Sequence, residues 1–339
     1  MKVEFKDLLV TCLIFITIIL TSCQNRNETE ELLGYVQEEE LGAYSFGNPN
    51  FDFEENELIY TGELLRIPYH VEGLSQNIVA EFGWFLFVDG LPQPTKLMTS
   101  TGDIFREMAY MHEFSLSYQE RYEFYVMFYP HSGRIGETMM SVGTAMFAPS
   151  FIPRDVYYPF FGFFHNLSST MPGEISINYN IEHKLIGKII DNLQPISQEI
   201  LEAEEKWLAE WIGPDVDLEL DLQSFPRMNI SPRDSDFQLM YEGAIFVEEG
   251  HVNFTFLTYG GEEARNRITF FVNHQPVQVN GFDYLEVQME NGQMLKLEIS
   301  LELENLDTFN TIYALRSVAG MDYESYDVFK TPTLLLINE

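Results

Sequence analysis

Alternation of apolar and polar positions dominates this chain beyond about residue 50. From Met294 to Glu304, Leu295, Leu297, Ile299, Leu301 and Leu303 fall on one side, and Lys296, Glu298, Ser300, Glu302 and Glu304 on the other. A period of two is that of a strand, and one wet face is typical of an antiparallel sheet. Tyr284 to Met289 alternates in the same way, and Glu290-Asn291-Gly292-Gln293 joins the two segments. Asn-Gly tolerates the positive φ of a type I′ turn, so a hairpin over 284–303 is predicted. Asp215 to Leu222 repeats the pattern, with Val216, Leu218, Leu220 and Leu222 inward and carboxylates outward. Helical spacing occurs at Ser197 to Trp211, where Ile200, Leu201, Glu204, Trp207, Leu208 and Trp211 recur three and four apart. Ser197 is the expected N-cap and Gly213-Pro214 the stop.

Two stretches of the alternating region resemble each other. Glu57-Leu58-Ile59-Tyr60-Thr61-Gly62-Glu63 is followed later by Trp84-Phe85-Leu86-Phe87-Val88-Asp89-Gly90-Leu91-Pro92. Gln238-Leu239-Met240-Tyr241-Glu242-Gly243-Ala244 is followed by Ile268-Thr269-Phe270-Phe271-Val272-Asn273-His274-Gln275-Pro276. Each stretch then offers a hairpin (Met111 to Tyr129, Tyr284 to Leu303) and a closing strand (Thr138 to Phe147, Thr308 to Val318). Short strands at this spacing predict an all-β chain with two tandem immunoglobulin-like β-sandwich domains and one short helix near their junction. The expected divisions are a sandwich over 51–165, a connector over 166–214 holding a strand and the helix 197–211, and a second sandwich over 215–339.

The chain opens differently. Lys2 and Lys6 precede an uninterrupted apolar run from Leu8 to Leu20, and Thr21-Ser22-Cys23 follows. The run is shorter than the ~20 residues a membrane-crossing helix needs, and fits the apolar region of an export signal. Leu20-Thr21-Ser22-Cys23 resembles the lipobox of bacterial lipoproteins. The resemblance covers only these first residues. It implies removal of residues 1–22, acylation of Cys23, and an extracytoplasmic protein held to the cell membrane by that lipid. Residues 23–50 are polar and acidic, including Glu38-Glu39-Glu40, and read as a flexible tether.

Charge narrows the range of partners. The formal net charge of -34 sets the chain against nucleic acid and anionic lipid headgroups and favours basic or cationic partners. The two cysteines are Cys12, inside the expected signal, and Cys23, so the processed chain offers no disulfide and no thiol nucleophile. The seven histidines include no HExxH pair, and neither a GxSxG elbow nor a P-loop is found. An enzyme is not expected, and neither is a cofactor. Asp215, Asp217, Glu219 and Asp221 are the weak metal candidates, since Ca²⁺ takes hard oxygen ligands. On a strand, however, alternate residues stand ~6.6 Å apart, so one ion would need a second segment.

Tyr157, Tyr158, Phe160, Phe161, Phe163 and Phe164 form the candidate partner contact, because Pro159 and Gly162 keep this run from being a regular central strand. Together these features predict a non-catalytic surface module that presents an acidic sandwich to a protein or envelope polymer. The alternatives are a solute-binding lipoprotein of a transporter and an accessory subunit of a cell-envelope hydrolase.

Overall fold

The computed structural model describes residues 44–47, 57–76, 79–131, 136–146, 168–169, 173–177, 185–211, 213, 217–237, 239, 244–319 and 328–338. The fold is all-β and sandwich-type: four sheets stand in two facing pairs. In the first copy, a five-stranded outer sheet runs in the order Tyr44–Gly47, Leu65–Gly73, Arg121–Phe128, Thr95–Met98, Ile104–Ala109. The inner sheet faces it, ordered Glu57–Tyr60, Gly173–Ile177, Gly136–Met146, Ala80–Val88, Leu91–Gln93. Met111–Leu116 pairs with Ala80–Val88, and Ser168–Ser169 with Gly136–Met146. In the second copy the inner sheet is Gly187–Ile190, Tyr284–Gln288, Arg265–Val272, Phe309–Val318, Leu334–Asn338, Ala244–Val247. Its outer sheet is Gln194–Pro195, Gln293–Glu302, His251–Tyr259, Arg227–Pro232.

The likeness seen in the sequence reaches the strand pairings. Ala80–Val88 and Arg265–Val272 each turn back on a short strand, Leu91–Gln93 and Gln275–Val277, in matching register: Val88 opposite Leu91, Val272 opposite Gln275. Both turns place two successive residues at positive φ, Asp89 and Gly90 at 50° and 76°, Asn273 and His274 at 49° and 63°. Positive φ at both central residues is the type I′ signature. Each aromatic strand pairs on one side with Gly136–Met146 or Phe309–Val318. Each inner sheet also contains a parallel pair, Glu57–Tyr60 with Gly173–Ile177 and Ala244–Val247 with Leu334–Asn338. The counterpart of Glu57–Tyr60 is therefore Ala244–Val247, downstream of the Tyr241 to which sequence likeness had matched Tyr60.

Both predicted hairpins are instead arches. Tyr284–Gln288 pairs with Arg265–Val272, whereas Gln293–Glu302 pairs with His251–Tyr259 in the opposite sheet. Leu285 and Val287 thus meet Leu295, Ile299 and Leu301 across one core rather than beside them. The connecting turn is closed by the Gln293 N–H donating to the Glu290 carbonyl at 3.2 Å, with Gly292 at φ 70°. Met111–Leu116 and Arg121–Phe128 likewise lie in opposite sheets, and Phe114 stacks on Phe124 across the core at 5.7 Å. Alternation fixes which face of a strand is apolar; it leaves open which sheet the strand joins.

Two further expectations change. The segment 215–222 was predicted as a strand; its described part is helical. Helix α1 is Gln198–Trp211, and a second helix, α2, spans Leu218–Ser224. Asp217 caps α2 by accepting the Leu220 N–H at 3.2 Å, and Glu219 and Asp221 sit in its first turn, where the helix dipole favours acids. Leu218 and Leu222 are four apart, which satisfies a helix stripe as well as a strand face. The expected connector is also divided between the copies. Gly173–Ile177 belongs to the first inner sheet, while Gly187–Ile190 and Gln194–Pro195 join sheets of the second copy, ahead of the expected boundary at 215. Helix α1 lies away from the junction of the copies: Ile200 packs with Leu257, Tyr259 and Met294 on the far face of the second outer sheet.

Candidate functional site at the junction of the two copies

Ala80–Val88 is apolar on both sides. Trp84, Leu86 and Val88 enter the core of the first copy, which leaves Phe85 and Phe87 on the opposite face. Arg265–Val272 is built alike: Ile268, Phe270 and Val272 enter the second core, and Phe271 turns away from it. The two leftover faces meet. Phe85, Phe87, Met111, Phe271, Tyr313, Leu315 and Val328 form one buried cluster drawn from both inner sheets. Phe85 meets Phe271 edge-on at 5.8 Å, and Phe271 lies parallel to Tyr313 at 5.1 Å. Such ring pairs add about 0.5–1.5 kcal/mol beyond their area burial.

Polar groups lock the rim of this cluster. Arg267 reaches out of the second copy to Asp89 on the first copy's turn, Nη1 to Oδ2 at 2.8 Å, and also donates to the Asp89 carbonyl. Its Nε donates to Glu286 at 3.0 Å, and its guanidinium lies 5.2 Å from the Tyr284 ring centre. Asp89 is 0% exposed. Burial works against the Arg267 charge, but Asp89, Tyr284 and Glu286 outweigh it and hold its pKa above the ordinary arginine value. Beside it, the Ser317 hydroxyl donates to the Gly90 carbonyl at 2.6 Å. A Cβ on Gly90 would sit 2.5 Å from the Ser317 Oγ, so this position needs glycine for space as well as for its φ.

Behind the rings, His274 Nδ1 is 3.1 Å from the Tyr313 hydroxyl, and Lys330 Nζ stands 4.6 Å from the Tyr313 ring centre. Lys330 donates to the Thr331 carbonyl and the Thr333 hydroxyl. Burial, then the Lys330 charge, takes the His274 pKa down to about 4, while burial pushes Lys330 well below and Tyr313 well above their usual values. The arrangement joins two sandwiches through a buried aromatic seam with a charged clasp.

A second polar cluster pins α1. Glu204, 2% exposed, accepts from the Tyr259 hydroxyl at 2.6 Å and pairs with Arg227 Nε at 3.3 Å; Arg227 also binds Asp221. Burial, then Glu204, raises the Tyr259 pKa. Arg316 is held between the sheets by Asn266, Thr258 and the Gly260 carbonyl at 2.9–3.0 Å, and burial lowers its pKa to about 9. In the first copy, His112 Nε2 lies 3.0 Å from the Thr95 carbonyl and 2.8 Å from its hydroxyl, and burial lowers its pKa to about 4.

The predicted site residues are not gathered here. Asp217 is a helix cap, Glu219 accepts from Gln223, and Asp221 is taken by Arg227. The strand row that was to hold calcium is therefore dismantled, and Asp215 lies outside the described residues. Among the described residues, no three His, Cys, Asp or Glu side chains converge as ion ligands. Cys23 and the run Tyr157, Tyr158, Phe160, Phe161, Phe163 and Phe164 also lie outside them. Sequence reasoning passed over Phe85, Phe87, Phe271 and the Asp89–Arg267 clasp. The signal was present, because Trp84 to Val88 and Phe270 to Val272 are apolar without alternation, the mark of a strand covered on both faces.

No protein-family model matches this chain, and no curated protein matches it. Among solved structures, a β-glucosidase from Listeria innocua in complex with glucose is similar at 14% identity and TM-score 0.22, over 42% of this chain and 17% of that one. A red sea bream transglutaminase is 7% identical with TM-score 0.18, over 93% of this chain and 34% of that one. A chaperone–tip adhesion subunit pre-assembly complex of Csu pili from Acinetobacter baumannii is 9% identical with TM-score 0.17, covering 84% and 95%.

Proposed function

We propose that this chain is an extracytoplasmic lipoprotein, acylated on Cys23, whose two sandwiches act together as a non-catalytic binding or structural module at the cell membrane. The observation that carries this reading is Leu20-Thr21-Ser22-Cys23 at the end of the apolar run Leu8 to Leu20. Two acyl chains give the stable membrane attachment that a single chain does not. The junction supports the module half of the reading: aromatic seam and buried clasp hold the copies as one unit, and the polar groups described there are engaged with one another. Labelled palmitate should enter the protein in cells, and Cys23→Ala should abolish the label and release the protein from membranes. A wild-type protein that takes up no label, or a Cys23→Ala variant that keeps it, would overturn the lipoprotein reading.

A further inference from the structure

The strand registers match the two copies residue by residue. Val88 and Val272 each lead into the two-residue turn, so Phe87 corresponds to Phe271, Leu86 to Phe270 and Phe85 to Thr269. The same registers make Met111, opposite Phe85, the counterpart of Tyr284, and Tyr110 the counterpart of Asp283. Across the seam Phe85 meets Phe271, and farther along Asp89 meets Arg267. Residue numbers rise on one side as they fall on the other, so the aromatic strands cross the seam in opposite directions. The crossing is centred where Leu86 and Phe270, each other's counterparts, share one level. Tyr110 and Asp283 are the neighbouring pair at that level, and they too are close: burial first, then the Asp283 charge, raises the Tyr110 pKa. Counterparts that meet counterparts mark a two-fold axis, here running along the seam.

Charge breaks this symmetry. The counterpart of Arg267 is Gly83 and that of Asp89 is Asn273, so the positions two-fold to the clasp hold uncharged residues. A two-fold face fits another face of its own kind. Asp89 on one copy and Arg267 on the other favour the unlike pairing over two like ones. Nothing in these contacts requires both faces to come from one molecule. Residues 178–186 join Ile177 of the first copy to Gly187 of the second, a stretch able to span about 30 Å.

We propose that the seam is a two-fold dimer interface drawn into one chain, and that a second molecule of the same chain is its alternative occupant. Two molecules pair by exchanging halves, the first copy of each seated on the second copy of the other. Each exchanged seam keeps the Phe85–Phe271 contact and the Asp89–Arg267 clasp, so the exchange forfeits none of the seam's contacts. The proposal stands apart from the lipoprotein reading.

The test uses the full chain in detergent, in two charge-reversed forms, Asp89→Lys and Arg267→Glu. In either form alone, like charges face each other within the molecule. Unfolded in urea and refolded together, the two forms satisfy both clasps only by exchange. Light scattering on the eluted mixture should show a one-to-one dimer, its share roughly tenfold above that of either form alone. Equal dimer shares in the mixture and in the separate forms would overturn exchange. A second measurement keeps the natural clasp and decides the matter where reversed charges prevent folding. A photoreactive benzoylphenylalanine replaces Tyr110 in an unlabelled chain, which is refolded at high concentration with the isotope-labelled natural chain. Cross-links from position 110 to the labelled segment around Asp283 should appear after refolding together and not after simple mixing. Cross-links confined to the unlabelled chain would show a seam closed within each molecule and end the proposal.

Discussion

The two copies share their strand pairings and differ in what they do with their outer sheets. In the second copy, Leu257, Tyr259 and Met294 at one end of the far face are roofed by α1, and Glu204 holds the roof down. The other end is wet, with Glu298 paired to Arg233 and Glu302 opposite His251. In the first copy the arrangement is reversed. The end near Gly73 carries the Arg121–Glu72–Glu123 ion pairs, and Pro68, Tyr125, Met98 and Ile104 form an apolar row toward the other end, with no helix over it among the described residues. Duplicated sheets thus keep the inner wall, where a change is felt by both copies, and diverge where each faces its own surroundings.

The comparison breaks most severely at the shared wall. Arg267→Ala removes the cation beside the buried Asp89 carboxylate, and breaking a buried ion pair costs about 3–5 kcal/mol. Urea unfolding should show that loss, and pairing the change with Asp89→Asn should return most of it. The next effect should be equal in the two copies. His112 and His274 each have a pKa of about 4 when folded, against an ordinary value of about 6.5. Between those values the unfolded chain binds more protons. Stability is therefore full above about pH 6.5 and falls as the pH drops toward 4, by up to about 3 kcal/mol per histidine. His112→Gln and His274→Gln should each flatten the fall in unfolding midpoint between neutral and acidic pH; an unchanged slope in one copy would show that its histidine stays exposed.

Smaller effects should separate the copies. Glu204→Ala leaves the Tyr259 hydroxyl without its acceptor and removes one of the two carboxylates on Arg227, costing about 1–3 kcal/mol, and hydrogen exchange should quicken along α1 while the first copy is unmoved. Ile104→Ser on the uncovered row should shift stability by no more than about 0.5 kcal/mol. A loss several times larger would mean that the row is packed against something within the chain.

Some of this was legible in the residues. Helix α1 could be read from the spacing of Ile200, Leu201, Glu204 and Leu208, because a long amphipathic period has no strand alternative. The duplication was legible because the same order of segments, with an aromatic strand ending at Asp-Gly or Asn-His, recurs in both stretches. The arches were not, since Asn291-Gly292 announces a turn without naming the sheet on its far side. Helix α2 was missed for a related reason: seven residues with Leu218 and Leu222 four apart satisfy both periods, and only the Asp217 cap decides. Of the junction, the apolar strands were visible but the partnership was not. Asp89 and Arg267 are far apart in sequence, and neither is distinguishable there from a solvated charge. The outer-face contrast depended on which strands end up side by side.

Parallel pairing at the margins of the inner sheets constrains how the chain is made. Ala244–Val247 waits for Leu334–Asn338, roughly ninety residues later, and Glu57–Tyr60 waits still longer for Gly173–Ile177. Neither inner sheet is complete while the intervening chain is still emerging from a ribosome. Assembly is therefore postponed until each copy is nearly whole, which exposes its aromatic strands to chaperones or to misassociation for that interval.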